Sequence, residues 1–113
     1  MSNRDPRLLL EDIVESIEKI RHFTVDIDFE EFINDAKTTD AVVRNFEIIG
    51  EAATKIPPEI KNRFSNIEWH RIVSIRNRII HEYFGVDYSI IWKIIESNLD
   101  KLKSGIERIL IEL

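Results

Sequence analysis

An all-α fold, an antiparallel four-helix bundle with short additional helices, is predicted from three observations. Apolar residues recur at i, i+3 and i+4 along most of the chain, the spacing that gathers them on one face of a helix. Glycine and proline are scarce, three of each, so little interrupts those stripes. Where the stripes do stop, capping residues mark the next helix start, and the connections have the short lengths usual in bundles.

The first helix is expected to start at Asp5-Pro6, with Asp5 as N-cap and Pro6 in the first turn. Its stripe is Leu9, Leu10, Ile13, Val14, Ile17 and Ile20, and it should end near His22. Residues 23–27 read as a connector. Asp28 with Glu31 then reads as a capping box opening a short helix, Phe29 to about Lys37, that buries Phe29, Phe32 and Ile33. Thr38-Thr39-Asp40 restarts the chain into a longer helix, about Asp40 to Ile56, with Val42, Val43, Phe46, Ile49, Ala53 and Ile56 on its apolar face. Gly50 lies in the same face, where a missing side chain lets another helix come close.

Opposite that face run Arg44, Glu47, Glu51 and Lys55, three and four residues apart. The row reads first as surface ion pairs, worth a few tenths of a kcal/mol each. The alternative is that it lines a cleft. Pro57-Pro58 ends this helix and opens a short one, Glu59 to Phe64. Ser65 with Glu68 reads as a further capping box, starting a helix that Gly85 stops near Phe84. Asp87 caps the last helix, about Tyr88 to Glu112, whose stripe is Ile91, Ile94, Ile95, Asn98, Leu99, Leu102, Ile106, Ile109 and Leu113.

The 113 residues are expected to form a single domain, 1–113, around one modest core. Charged residues make up 33%, and no apolar run approaches the roughly 20 residues of a spanning helix, so no membrane segment is expected. The polar start, Met1 to Pro6, has no signal-peptide core. The absence of cysteine rules out disulfides and thiolate metal sites, and the expected location is cytoplasmic. The net charge of −5 argues weakly against a general nucleic-acid binder, yet it is unevenly spread. Residues 61–81 carry +4, from Lys61, Arg63, Arg71, Arg76 and Arg78 against Glu68, which leaves −9 elsewhere. Chance clustering and a working cationic patch both remain open.

The chain is organised around Arg76-Asn77-Arg78-Ile79-Ile80-His81-Glu82-Tyr83. On a helix, Arg76 falls in the middle of a stripe made by Trp69, Ile72, Val73, Ile79, Ile80 and Tyr83. A guanidinium on a burying face needs a partner or a task. His81 lies about 140° round the helix from Arg76 at 100° per residue. The two therefore cannot point the same way in one straight helix. Either the helix bends or ends near His81, or a site is assembled between two copies about a two-fold axis.

Other chemistries find no support. The three glycines are isolated, so there is no phosphate loop, and no serine sits in a nucleophile elbow. His22, His70 and His81 form no metal-ligand spacing, and no metal or cofactor is expected. Histidine can take or give a proton near neutrality, and arginine can hold a phosphate and stabilise charge building on it. Together they are the minimum for metal-free RNA cleavage. The bland readings stay open beside this one: a helix-end histidine, a half-buried tyrosine ring, and an arginine in a structural ion pair with an acid such as Glu47 or Glu51.

At these residues the chain resembles the HepT-like family of HEPN-domain proteins. The likeness runs from about residue 7 to 112. It includes the opening helix from Leu8 to Ile20, the stretch from Thr39 to Ala53 with its Ile49-Gly50-Glu51-Ala52 core, Trp69, Arg76-Asn77 with His81 to Asp87, and Trp92. The resemblance implies a HEPN-like bundle that forms a homodimer through the motif-bearing face. It implies a metal-independent RNase acting as the toxin of a toxin–antitoxin pair, with RNA as substrate and Arg76 and His81 as catalytic residues. Asn77 would support the site. The implied partner is an MntA-like nucleotidyltransferase antitoxin that transfers AMP to Tyr83. A non-catalytic helical companion, binding a nucleotidyltransferase and its substrate, is the alternative within the same fold.

Overall fold

A computed structural model of the chain describes residues 4–81 and 86–113, the side chains of Ile80 and His81 excepted. The described residues form seven helices and no strand. They are α1 (Pro6–Thr24), α2 (Phe29–Ile33), α3 (Ala36–Lys55), α4 (Pro58–Arg63), α5 (Trp69–His81), α6 (Tyr88–Ser97) and α7 (Leu99–Glu112). None of them is long and apolar enough to cross a membrane.

α1 starts as expected. Asp5 accepts a bond from the Arg7 N–H at 2.8 Å, and Pro6 opens the first turn. Leu9, Leu10, Ile13, Ile17 and Ile20 are buried. The helix runs two residues past His22, and the Thr24 hydroxyl donates back to the Ile20 carbonyl at 2.8 Å. In α2 the reciprocal capping box forms, Glu31 N–H to Asp28 Oδ1 at 2.9 Å and Asp28 N–H to Glu31 Oε1 at 3.1 Å.

Here the expected boundaries shift. α2 stops at Ile33 because Asp35 caps the next helix ahead of the expected Thr38-Thr39-Asp40 restart: its carboxylate accepts from Thr38 N–H and, at 2.7 Å, from the Thr38 hydroxyl. α3 therefore begins four residues earlier than the Asp40 start, and Ile33 is left 40% exposed while Phe32 is fully buried. α4 matches the double-proline signal. α5 begins at Trp69, and Ser65 forms no cap. Phe64, Ile67 and Trp69 are all buried, and Trp69 Nε1 donates to the Phe64 carbonyl at 3.2 Å. Burying those three side chains together holds 64–67 in a turn, so the local capping signal loses to packing. The Glu68 carboxylate bonds Arg71 instead. The predicted helix end at Phe84 lies outside the described residues.

Asp87 caps α6 as expected, accepting from Ser89 N–H at 2.9 Å. The single last helix is in fact two. Asn98, at φ −121° and ψ −23°, separates α6 from α7 and is exposed rather than in the apolar stripe. The stripe resumes with Leu99, Ile106 and Ile109, all buried, whereas Leu113 is 42% exposed.

α1 packs between α3 and α7, and α5 lies on the other side of α3. α1 and α7 are antiparallel: Arg7 Nη2 reaches the Leu110 carbonyl at one end, and Arg21 pairs with Asp100 at the other. α2 bridges α3 to α6 through Phe32, whose ring centroid is 5.0 Å from that of Trp92 and 6.1 Å from that of Tyr88. Where α5 packs on α3, the polar side chain of Arg76 lies against Gly50.

Candidate active site

α5 turns its apolar stripe to the core. Trp69 and Ile79 are buried, and Ile72 and Val73 pack half-buried against the core cluster. Arg76 sits within this stripe with 25% of its side chain exposed. It can do so because α3 presents Gly50 at the contact. A Cβ built on Gly50 would stand 2.6 Å from Arg76 Cγ and nearer still to Arg76 Cβ. The close approach expected at Gly50 is therefore made by the arginine stem itself.

The guanidinium then emerges beside the residue after the glycine. Arg76 Nη2 donates to Glu51 Oε1, and Nη1 donates to Asn77 Oδ1 at 2.7 Å. Of the two acids weighed from sequence as partners, Glu51 is the one that pairs. Arg76 Nε is buried and has no acceptor among the described residues. An arginine has five N–H donors. One is buried and unmet and two are engaged, which leaves one on each terminal nitrogen for a ligand.

The polar row of α3 departs from the first expectation. Among the described residues, Arg44, Glu47 and Lys55 form no ion pairs along the helix, and Glu51 turns to α5. The row lines a groove instead, the alternative reading. Arg44, Glu47, Glu51 and Lys55 form its floor, and Arg4, just ahead of α1, and Asp12 of α1 face them across about 250 Å³. Arg4 forks onto Asp12 at 2.9 and 3.1 Å.

Of the residues singled out in the sequence, Arg76 and Asn77 come together on one turn of α5. His81 belongs to the last turn of α5, with its side chain outside the described set, and Tyr83 lies outside the described residues altogether. The sequence offers Glu51 only as one of two acids that could pair with Arg76 or support its face, not as a catalytic residue. The signal available for it was its place directly after the one glycine in the apolar face of α3.

An all-α bundle with an arginine clamped where two helices touch defines the class. Comparison with known proteins gives the family. The family model described as "Ribonuclease HepT-like" matches residues 13–109, so this chain belongs to the HepT-like ribonuclease family. The chain is 44% identical over 107 residues to the protein named "Putative RNase MJ1380" of Methanocaldococcus jannaschii, covering 95% of this chain and 98% of that one. It is 44% identical over 100 residues to the "Probable ribonuclease HepT" of Thermococcus cleftensis, covering 88% and 91%. It is 39% identical over 107 residues to "Putative RNase TTE0752" of Caldanaerobacter subterraneus, covering 95% and 96%. No solved structure matches the chain significantly.

Proposed function

We propose that this chain is a metal-independent endoribonuclease, the toxin of a toxin–antitoxin pair, with Arg76 and His81 as its catalytic residues. The observation that carries the reading is the family match, whose span of 13–109 contains the whole Arg76 to Tyr83 motif. The partly exposed Arg76 guanidinium, with donors to spare on both terminal nitrogens among the described residues, supports it.

In this reading His81 acts as base and takes the proton of a ribose 2′-OH. The freed oxygen attacks the adjacent phosphorus while Arg76 stabilises the charge on the pentacoordinate state. The 5′-oxygen leaves with a proton, giving a 2′,3′-cyclic phosphate and a 5′-hydroxyl. DNA lacks the attacking group and is spared. Positions 76 and 81 are five residues apart on the regular helix α5, about 140° round it. A homodimer about this face brings the base of one copy towards the arginine of the other. Asn77 holds the guanidinium from its own helix. An MntA-like nucleotidyltransferase silences the enzyme: the Tyr83 phenol oxygen attacks the α-phosphorus of ATP, pyrophosphate leaves, and the phenol proton goes to solvent. The bulky anion then competes for Arg76 and fills space the RNA needs.

The test is incubation with total RNA in EDTA, comparing wild type with Arg76→Ala and His81→Ala. Wild-type cleavage that both variants lose is the expected result. Cleavage by a folded His81→Ala protein overturns the assignment. A wild-type protein that binds a nucleotidyltransferase tightly and cuts no RNA points to the non-catalytic companion instead.

A further inference from the structure

We infer that Glu51 is a positioning residue for the reaction: its carboxylate, brought against α5 by Gly50, sets the orientation of the Arg76 guanidinium. The inference rests on Arg76 serving RNA cleavage, and it adds a residue from a different helix to that site.

Three observations carry it. The first is contact. Glu51 Oε1 accepts from Arg76 Nη2, so one acceptor on α3 holds the far end of a side chain rooted in α5. The second is register. Gly50 and Glu51 are consecutive, and the glycine lets the α5 backbone close on α3 at Arg76 itself. Without that approach the carboxylate would not be opposite the guanidinium. The third is the unmet Nε. A buried donor without a partner keeps its full desolvation cost. An ion pair kept only for stability would gain by engaging Nε and Nη2 together in the usual fork. Here, among the described residues, Glu51 takes a single terminal N–H, leaves Nε unmet, and leaves one donor on each terminal nitrogen.

Glu51 and Asn77 therefore grip the guanidinium from two sides. A long side chain has several rotamers, and each one lost before substrate arrives is disorder that need not be removed in the transition state. Misplacing a catalytic group by about 1 Å can cost on the order of 100-fold. Glu51 is itself 43% exposed, so its replacement leaves the core intact.

The experiment is a double-mutant cycle read by kcat and KM on one defined RNA oligonucleotide. The proteins are wild type, Glu51→Ala, Glu51→Gln, Arg76→Ala and the Glu51→Ala/Arg76→Ala double variant. Glu51→Ala should lower kcat on the order of 10–100-fold with KM changed much less. Glu51→Gln keeps an oxygen acceptor at the same place and should recover kcat to within about threefold of wild type. In the Arg76→Ala background, read as the residual rate at excess enzyme, the Glu51 substitution should change nothing further. Equal loss on both backgrounds, or a Gln variant as poor as the Ala variant, overturns the inference. A second readout needs no catalysis. The Arg76 Nε–H resonance should stay sharp in Glu51→Gln and broaden in Glu51→Ala, and a signal unchanged in both overturns the inference. If Arg76→Ala cuts RNA as wild type does, the catalytic reading of Arg76 fails, and the resonance alone then decides whether Glu51 orders that side chain.

Discussion

Gly50 has no side chain where the stem of Arg76 lies: a Cβ there would stand 2.6 Å from Arg76 Cγ and closer still to Arg76 Cβ. The two residues share one position in space, and the crossing of α3 and α5 is set by that sharing. Everything proposed for Arg76 depends on it, because the same contact brings Glu51 within reach.

Gly50→Ala is the direct probe. In an exposed helix the change would stabilise by about 1 kcal/mol. Here the added methyl meets the arginine stem and the α5 backbone, and overpacking of that kind costs about 1–3 kcal/mol. Urea denaturation should show a net loss. RNA cleavage should fall further than the stability change explains, since α5 must shift away from Glu51. A variant more stable than wild type with full cleavage would show that the helices have room to spare.

Much of this arrangement could be read before any coordinates. Asp5, Asp28 and Asp87 cap the helices their positions announce, because a cap depends only on neighbours within one turn. Gly50 announced a close approach for the same kind of local reason. Local rules fail at Ser65, where burial of Phe64, Ile67 and Trp69 outweighs a cap, and at the expected Thr38-Thr39-Asp40 restart, which a cap at Asp35 pre-empts. Along Arg44, Glu47, Glu51 and Lys55 they leave two readings open, ion pairs along the helix or a cleft lining, and cannot choose between them. Side chains one turn apart could pair with each other, but a groove wall or a partner on another helix is visible only once α1 and α5 are in place.

Arg76→Met separates fold from function. The methionine keeps the Cβ and Cγ that pack on Gly50, and it removes the buried Nε that has no acceptor among the described residues. Glu51, left without a partner, is exposed enough to be solvated. A pair this exposed is worth about 0–1 kcal/mol, and losing the buried donor offsets it, so stability should change by less than about 1 kcal/mol. Cleavage should disappear. A marked drop in melting temperature would mean that the ion pair with Glu51 is structural after all.

Acid should weaken the fold through its helix caps. The hydrogen bond from the Thr38 hydroxyl, followed by that from Thr38 N–H, holds the Asp35 carboxyl below its ordinary value. The Ser89 hydroxyl and N–H do the same for Asp87. A depressed folded pKa contributes stability that is complete above the ordinary carboxylate value of about 4 and is lost as pH falls through the folded value. Urea midpoints measured from pH 7 downward should therefore hold until about pH 4 and then decline. Asp35→Ala and Asp87→Ala should each start from a lower midpoint and decline less steeply. Variants that reproduce the wild-type slope would assign the acid sensitivity to other carboxylates.

The proposed off-switch can be located by elimination between two residues, since the chain has only two tyrosines. Tyr88 is half-buried at the start of α6, with its ring edge-on to Phe32, a fully buried side chain of the α2–α6 contact. An AMP group there would have to open that contact. Tyr83, two residues past His81, is the proposed acceptor. Incubation with an MntA-like nucleotidyltransferase and ATP should add one AMP per chain, seen as a single step in intact mass. The label should map to the peptide holding Tyr83 and vanish in Tyr83→Phe, while Tyr88→Phe stays fully modified. The modified protein should lose RNA cleavage, and Tyr83→Phe should cut RNA whether or not it has met the nucleotidyltransferase. AMP found on Tyr88, or modified protein that still cleaves, would remove Tyr83 from the switch and leave Arg76 without the competing anion proposed for it.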